Sequence, residues 1–409
     1  MRRLNWENFT ALSRQLSPDQ RRVASIASVT HALHDGYTDL IYIMLPLWQS
    51  EFGLDYAALG VLRSVFVGAM ASLQIPAGLV SERLGGAVVL AFGTALAGFG
   101  YCLAGASAGF TMLLVALFIG GLGASTQHPV ASALVARAFA GPRSLTALGT
   151  YNFAGDLGKM ILPATLSVML LGMAWRPALS ILGCLGFVLA AIIFVVTPRY
   201  ASESTAERSP KAEAVSDKPP QPLAFPLLVA IGIIDSATRM GFLLFLPFVL
   251  KDKGASVQTV GLALTLIFAG GAAGKLACTF IGARIGAIGT VWLTEGLTAM
   301  GILALIPLPL EGALSLLPLI GIALNGTSSV LYGSVPTLVA PEWRTRALSV
   351  FYTATIGSGA IAPTLYGLVG DRFGVWKALT VVAFLVLLTL PLSALLRSAL
   401  PRGYGSRVA

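Results

Sequence analysis

The second half of this chain repeats the first at a fixed offset of 201 residues, the step from Gly53 to Gly254, and both copies are apolar enough to lie in a lipid bilayer. Leu45-Pro46 returns as Leu246-Pro247, Gly60 as Gly261, and Arg83 and Gly85 as Arg284 and Gly286. Arg143, Tyr151 and Trp175 return as Arg344, Tyr352 and Trp376. An internal repeat in an all-helical membrane chain points to two pseudo-symmetric bundles with a site between them near the bilayer midplane. That architecture implies transport before any chemistry is considered.

Composition supports the membrane assignment. With 56% hydrophobic and 11% charged residues and a mean hydropathy of +0.81, a chain of 409 residues cannot hide its apolar surface inside a water-soluble globule. A spanning helix needs roughly 20 apolar residues. Twelve stretches qualify: 23–50, 58–80, 88–107, 110–136, 144–172, 177–197, 223–250, 257–281, 288–306, 313–340, 346–370 and 375–397. The expected fold is therefore an all-α integral membrane protein of twelve transmembrane helices in two six-helix bundles.

The net charge of +9 is spread over alternate connections and not gathered into a nucleic-acid-binding patch. Arg2, Arg3, Arg14, Arg21 and Arg22 precede the first span. Arg83, Arg137, Arg143, Arg199, Arg208, Lys211, Lys218, Arg284, Arg344 and Arg346 fall in even-numbered connections, and Arg397, Arg402 and Arg407 follow the last span. The other side has only Arg176, Lys251, Lys253, Arg372 and Lys377. The positive-inside rule then places both termini in the cytoplasm, which requires an even number of spans. The polar first 22 residues and the long apolar run after them give no cleavable signal peptide. Cys102, Cys184 and Cys278 lie in apolar stretches without paired spacing, as small buried or lipid-facing residues.

Between Pro198 and Pro222 the apolar pattern gives way to Glu203, Glu207, Arg208, Lys211, Glu213, Asp217 and Lys218 with three further prolines. This reads as a cytoplasmic linker. The expected organisation is a tail at 1–22, a first bundle at 23–197, a linker at 198–222, a second bundle at 223–397 and a tail at 398–409.

The connection after the second span reads Gly78-Leu79-Val80-Ser81-Glu82-Arg83-Leu84-Gly85-Gly86, with Gly282-Ala283-Arg284-Ile285-Gly286 as its weaker copy. It resembles the cytoplasmic loop motif of the major facilitator superfamily, Gly-x-x-x-Asp-Arg-x-Gly-Arg. Glu82 stands for the Asp and Gly86 for the final basic residue. The resemblance implies that Gly78, Glu82, Arg83 and Gly85 form a gating motif. A closer resemblance is to the fosmidomycin-resistance branch of that superfamily. It is carried by Thr30-His31-Ala32-Leu33-His34-Asp35-Gly36, Leu45-Pro46-Leu47, Ser50-Glu51-Phe52-Gly53-Leu54 and Gly123-Ala124-Ser125-Thr126-Gln127-His128-Pro129. It implies a proton-driven exporter of a small polar drug.

Ionisable groups within spans are functional candidates because burying charge in hydrocarbon is costly. His31, Asp35 and Asp39 share one face of the first span, with His34 beside them, and these four are the expected proton-coupling residues; Asp35 is the first choice. The fifth span offers Tyr151, Asn152, Asp156 and Lys159. Asp156 and Lys159 either pair locally at i,i+3 or place Lys159 towards a substrate anion or the first-span carboxylate. Gly155 and Gly158 permit close helix approach. Asp235 and Arg239 lie one turn apart on the seventh span, either as an ion pair or with Arg239 as an anion clamp. His128 before Pro129 sits at a bend and completes the substrate-binding candidates His128, Asp156, Lys159, Asp235, Arg239, Tyr151 and Asn152. Its repeat partners Thr327, Ser328 and Ser329 are a polar segment of the tenth span. Lys275 and Glu295 are expected to neutralise each other, and Arg63 to snorkel from a helix end to the interface. No histidine or carboxylate spacing suggests a metal, so neither metal nor cofactor is expected.

No phosphate-binding loop and no soluble catalytic domain is present in the sequence, which argues against ATP drive and against an enzyme. The expected function is a secondary transporter of the bacterial inner membrane, working as a monomer and exporting a small polar or anionic compound in exchange for protons. The alternatives are proton-coupled uptake of a carboxylate or other metabolite, and a membrane sensor without flux.

Overall fold

The computed structural model describes residues 16–139, 142–198, 223–340 and 343–397, and among these every regular element is a helix. Most of the linker and both tails expected from the sequence fall outside the described residues.

Helix α1 (Pro18–Phe52) begins before its apolar stretch does, because Ser17 and Gln20 form a capping box and Pro18 occupies the first helical position. It ends at Gly53, in the left-handed region at φ 63. Asp55 then caps α2 (Tyr56–Ser72) by accepting from the Ala58 amide. A 42° bend at Leu73 leads into α3 (Gln74–Leu84). Gly85, at φ 89, turns the chain into α4 (Gly86–Gly105).

Helix α5 (Phe110–Ala124) continues through a π-helical turn at Gln127–Ala131 into α6 (Ser132–Ala138). That wide turn sits at Pro129, where the ring displaces a helical hydrogen bond, and the Ser132 hydroxyl donates to the His128 carbonyl at 2.5 Å. A π-helical turn thus stands where His128-Pro129 predicts a bend. Helices α7 (Pro142–Met169) and α8 (Trp175–Val196) complete the first half.

The second half repeats this plan. Helix α9 (Ala224–Asp252) leads to Gly254 at φ 89, and Ser256 caps α10 (Val257–Leu305) by accepting from the Thr259 amide. Positions 53 and 254 are thus both left-handed glycines, and positions 55 and 256 both cap the next helix. Helix α10 holds two spans, broken only by Gly286 at φ 78, the repeat partner of Gly85. Helices α11 (Leu310–Leu338) and α12 (Arg344–Phe373) follow, and α13 (Val375–Val386) and α14 (Thr389–Leu395) together form the final span.

Among the described residues nine helices are long and apolar enough to cross a bilayer, and the bent pair α2 and α3 makes a tenth. Helices α1 and α7, at 35 and 28 residues, have the length to span but are less apolar. They carry His31, Asp35, Asp39, Asp156 and Lys159, so the polarity that excludes them from a hydropathy criterion is the same polarity that marks them as candidates.

The two halves meet mainly where α2 packs on α12 and α7 packs on α10. This contact is tight near the Gly53 turn. A Cβ on Gly60 would lie 2.3 Å from the Pro363 carbonyl oxygen, and one on Gly367 would lie 2.3 Å from the Tyr56 carbonyl oxygen. Ser64 and Thr364 share a hydrogen bond of 2.9 Å, and Asp371 accepts from the amides of Tyr56 and Ala57 at 2.7 and 2.9 Å. This end of the interface is sealed. Arg63, Val67 and Met70 of α2 lie further along, where the halves part around a cavity.

Gly60→Ala tests the seal, because the added methyl meets rigid backbone. Such overpacking costs about 1–3 kcal/mol, and about 1 kcal/mol already changes a two-state ratio fivefold. The expected result is at least a fivefold lower crosslinking yield between Ser64→Cys and Thr364→Cys. An unchanged yield contradicts a glycine-dependent seal.

Candidate functional site

The cavity between the halves has a volume of about 340 Å³ and is bounded by α1, α2 and α7 on one side and by α9, α10, α11 and α12 on the other, with His128 at its edge. Its centre is a relay of charges. Asp35 Oδ2 lies 3.2 Å from Lys159 Nζ, and Lys159 lies 3.6 Å from Asp156 Oδ1. Asp156 also accepts from Lys275 Nζ through both oxygens, at 2.6 and 2.8 Å. Lys275 belongs to the second half, so this pair joins the two bundles across the cavity. Both alternatives for Lys159 are realised together: it pairs along its own helix and also reaches the α1 carboxylate.

Helices α1 and α7 can bring these groups together because Gly155 and Gly158 lack side chains. A Cβ on Gly158 would lie 1.9 Å from the Ala32 carbonyl oxygen, and one on Gly155 would lie 2.7 Å from Asp35 Oδ2. His31 stands behind Asp35. Its Nδ1 donates to the Tyr151 carbonyl at 2.8 Å, which directs Nε2 towards Asp35 Oδ1 at 3.4 Å. The His31 ring stacks on Tyr151 at 4.1 Å and meets His128 edge-on at 5.2 Å. Ligand-type atoms of His31, Asp35 and His128 thus gather within 4.8 Å, a grouping that linear spacing did not reveal. The Lys159 ammonium already supplies positive charge to this carboxylate, in opposition to a metal cation there.

In the second half Arg239 pairs with Asp235 at 3.1 Å, as i,i+4 spacing predicts. The Arg239 Nε is buried without a hydrogen-bond partner among the described residues. Ser328 and Asn325 also line the cavity, whereas Thr327 is buried and donates to Thr294 at 2.6 Å.

Several expectations are corrected. Arg63 does not snorkel: it is 2% exposed, its Nε donates to the Tyr42 hydroxyl at 3.0 Å, and a terminal nitrogen lies 3.5 Å from Asp39 Oδ1. Helix α2 starts at Tyr56, so Arg63 lies well inside it and faces α1. The carboxylate partner of Lys275 is Asp156, not Glu295, which is buried and faces Asp235 and Thr327 instead. His34 is turned towards α4, where its Nε2 meets the Thr94 hydroxyl at 3.0 Å, and it does not line the cavity. Asn152 is exposed and outside the cavity lining, one turn before Asp156 on the same face of α7. Tyr151 is buried behind His31, within reach of Gln127 at 3.3 Å, and supports the site without lining it. Gly78, Glu82 and Arg83 are not in a loop: they lie on α3, and only Gly85 makes the turn. Glu82 and Arg83 are exposed and remote from the cavity lining.

The missed partners, Arg63 and Lys275, had one available signal. A carboxylate within a span needs a countercharge, and a cation on another span is the natural source.

Residues 27–310 match the family model described as Major Facilitator Superfamily. The fosmidomycin resistance protein of Escherichia coli is 25% identical over 377 residues, covering 88% of this chain and 89% of the relative. The probable sulfoacetate transporter SauU of Cupriavidus necator is 25% identical over 364 residues, covering 82% and 83%. Among solved structures, a bacterial homolog of the human lysosomal transporter Spinster, in an inward-facing and occupied conformation, superposes with a TM-score of 0.75 at 15% identity. That likeness covers 94% of this chain and 98% of the other and concerns the fold.

Proposed function

Because the chain belongs to the Major Facilitator Superfamily, we propose that it is a secondary transporter that exports a small polar or anionic organic compound in exchange for protons, with Asp35 as the coupling carboxylate. It is a multi-pass membrane protein of a transporter family and not an enzyme. In this reading it resides in a bacterial inner membrane with both termini in the cytoplasm, and the open side of the cavity faces inward.

The observation that carries the proposal is the position of Lys159 between Asp35 and Asp156, with Asp156 held by Lys275 of the other half. A single ammonium shared by two carboxylates responds to any change in charge on either. An incoming anion competes with the carboxylates for Lys159 and Lys275, and loosening Asp156 from Lys275 releases a tie between the bundles. Binding is thereby linked to rearrangement of the halves. His31 and Tyr151 position Asp35. The Asp39–Arg63 pair is structural, and Asp235 with Arg239 borders the site on the opposite wall. The name of the fosmidomycin resistance relative favours export.

A second reading, proton-coupled uptake, is favoured by one specific feature. Protonating Asp35 removes a competitor for Lys159, so a proton at Asp35 and an anion at Lys159 strengthen each other's binding, which is the linkage a symporter needs.

Survival assays separate the two directions. An efflux-deficient bacterium expressing the protein is challenged with fosmidomycin, other polar antibiotics and toxic metabolite analogues. Export predicts protection that is lost with Asp35→Asn at equal abundance. Sensitisation to an anionic analogue establishes uptake instead, and no effect in either direction contradicts the export assignment.

A further inference from the structure

The cavity changes character along its length. On α11, Asn325 and Ser328 line it and Tyr332 follows one turn later; on α12, Phe351 and Tyr352 lie one turn before Thr355. The Tyr332 ring meets Phe351 edge-on at 5.3 Å and Tyr352 at 4.0 Å. Within this aromatic shelf Gly232 lets α9 pack closely on Phe351, where a Cβ would be 2.7 Å from Phe351 Cζ; Phe351 is thus a buried backing, and the half-exposed Tyr352 presents its ring to the cavity. The Tyr332 hydroxyl is buried and has no hydrogen-bond partner among the described residues.

The charged level lies deeper. A Cβ on Gly271 would contact Asn325, one on Gly274 would contact Ile322, and one on Gly326 would contact Cys278, so Lys275 stands near the level of Asn325. From Asn325 to Tyr332 the helix advances about 10 Å at its usual rise per residue. The shelf is on the side of Asn325 remote from the sealed end, because α11 and α12 run antiparallel and the seal involves Pro363, Thr364 and Gly367.

The cations at the charged level already have carboxylate partners. An incoming anion therefore exchanges one carboxylate contact for another, and this exchange yields little affinity by itself. The surplus must come from burying the rest of the molecule, for which aromatic side chains are well suited.

We propose that the cavity selects an amphiphilic organic anion, with its anionic end at Lys159 and Lys275 and an aromatic or comparably broad apolar body on the Tyr332, Phe351 and Tyr352 shelf, about 10 Å away along the helix axes. This substrate class rests on the reading of Lys159 and Lys275 as the anion-holding pair.

The test is isothermal titration of the purified full-length protein in detergent at fixed pH, with protein-free micelles as the blank. The probes are acetate, phenylacetate, 4-phenylbutyrate and the uncharged 4-phenylbutanamide. The expected order is 4-phenylbutyrate, then phenylacetate, then acetate, with at least a tenfold difference between the first and last. Tyr352→Ala removes most of that difference; Tyr352 is half exposed, so its loss spares the fold, and Phe351→Leu is the conservative second variant. Equal binding of acetate and 4-phenylbutyrate, an advantage unchanged in both variants, or no binding by any probe overturns the proposal. If the amide binds as tightly as the acid, the anion reading fails while the aromatic shelf stands.

Discussion

Asp35→Asn is expected to abolish accumulation driven by a pH gradient while leaving abundance and substrate exchange near the levels of the unaltered protein. The Asp35 side chain is only 13% exposed, with the Lys159 ammonium at 3.2 Å and the His31 ring at 3.4 Å. Asparagine has nearly the same shape but cannot take up or release a proton. It therefore fixes the site in the equivalent of its protonated state, with Lys159 left to Asp156 and to the substrate. Coupling free energies between sites are typically about 1–3 kcal/mol, or 5–150-fold in affinity. The variant should lose a pH-dependent affinity change of that size, and its counterflow should become insensitive to pH. Gradient-driven accumulation that survives in the variant assigns coupling elsewhere.

The second large effect is on stability. Arg63→Met leaves Asp39 buried without its guanidinium partner, and breaking a buried ion pair on one side costs about 3–5 kcal/mol. The expected outcome is a sharp loss of folded protein in fluorescence-detected size exclusion after a heat step. The double variant Arg63→Met with Asp39→Leu removes both charges and should recover most of that loss, since replacing a whole buried pair with apolar groups is often neutral. Equal stability of the Arg63 single variant and the unaltered protein means that water or lipid headgroups reach the Asp39 carboxylate. Lys159→Met should be less destabilising, because the Asp35 side chain is 13% exposed against 6% for Asp39, and Asp156 retains Lys275.

These two predictions separate what the sequence discloses from what it hides. The offset between the halves pairs Gly53 with Gly254 and Gly85 with Gly286, and all four have positive φ, because a backbone requirement is tied to one position. Charges within α1 and α7 are conspicuous because hydrocarbon tolerates few of them. Partner identity is different. Whether Asp156 meets Lys159, Lys275 or both depends on the rotation of α7 and α10 about their axes, which no local pattern encodes. His34 and Asn152 illustrate the same limit. Each is polar and close in sequence to a true cavity residue, yet 100° of rotation per residue directs His34 to Thr94, and Asn152, on the face of Asp156, falls one turn short of the lining. Arg63 was misread because its depth depends on where α2 begins, and that boundary is set by the Asp55 cap and not by hydropathy. The motif at Gly78–Gly85 was legible as a motif but not as a helix, since α3 continues α2 through the bend at Leu73.

The central claim is that proton movement and transport are joined at Asp35. Proteoliposomes containing a trapped pH-sensitive dye, with no initial pH gradient, provide the direct measurement when a compound identified by the survival panel is added on one side. The account predicts a substrate-dependent change in internal pH with the unaltered protein and none with Asp35→Asn, although labelled substrate still exchanges in both. Proton movement of equal size in the two proteins, or transport by the unaltered protein with no pH change at all, contradicts it.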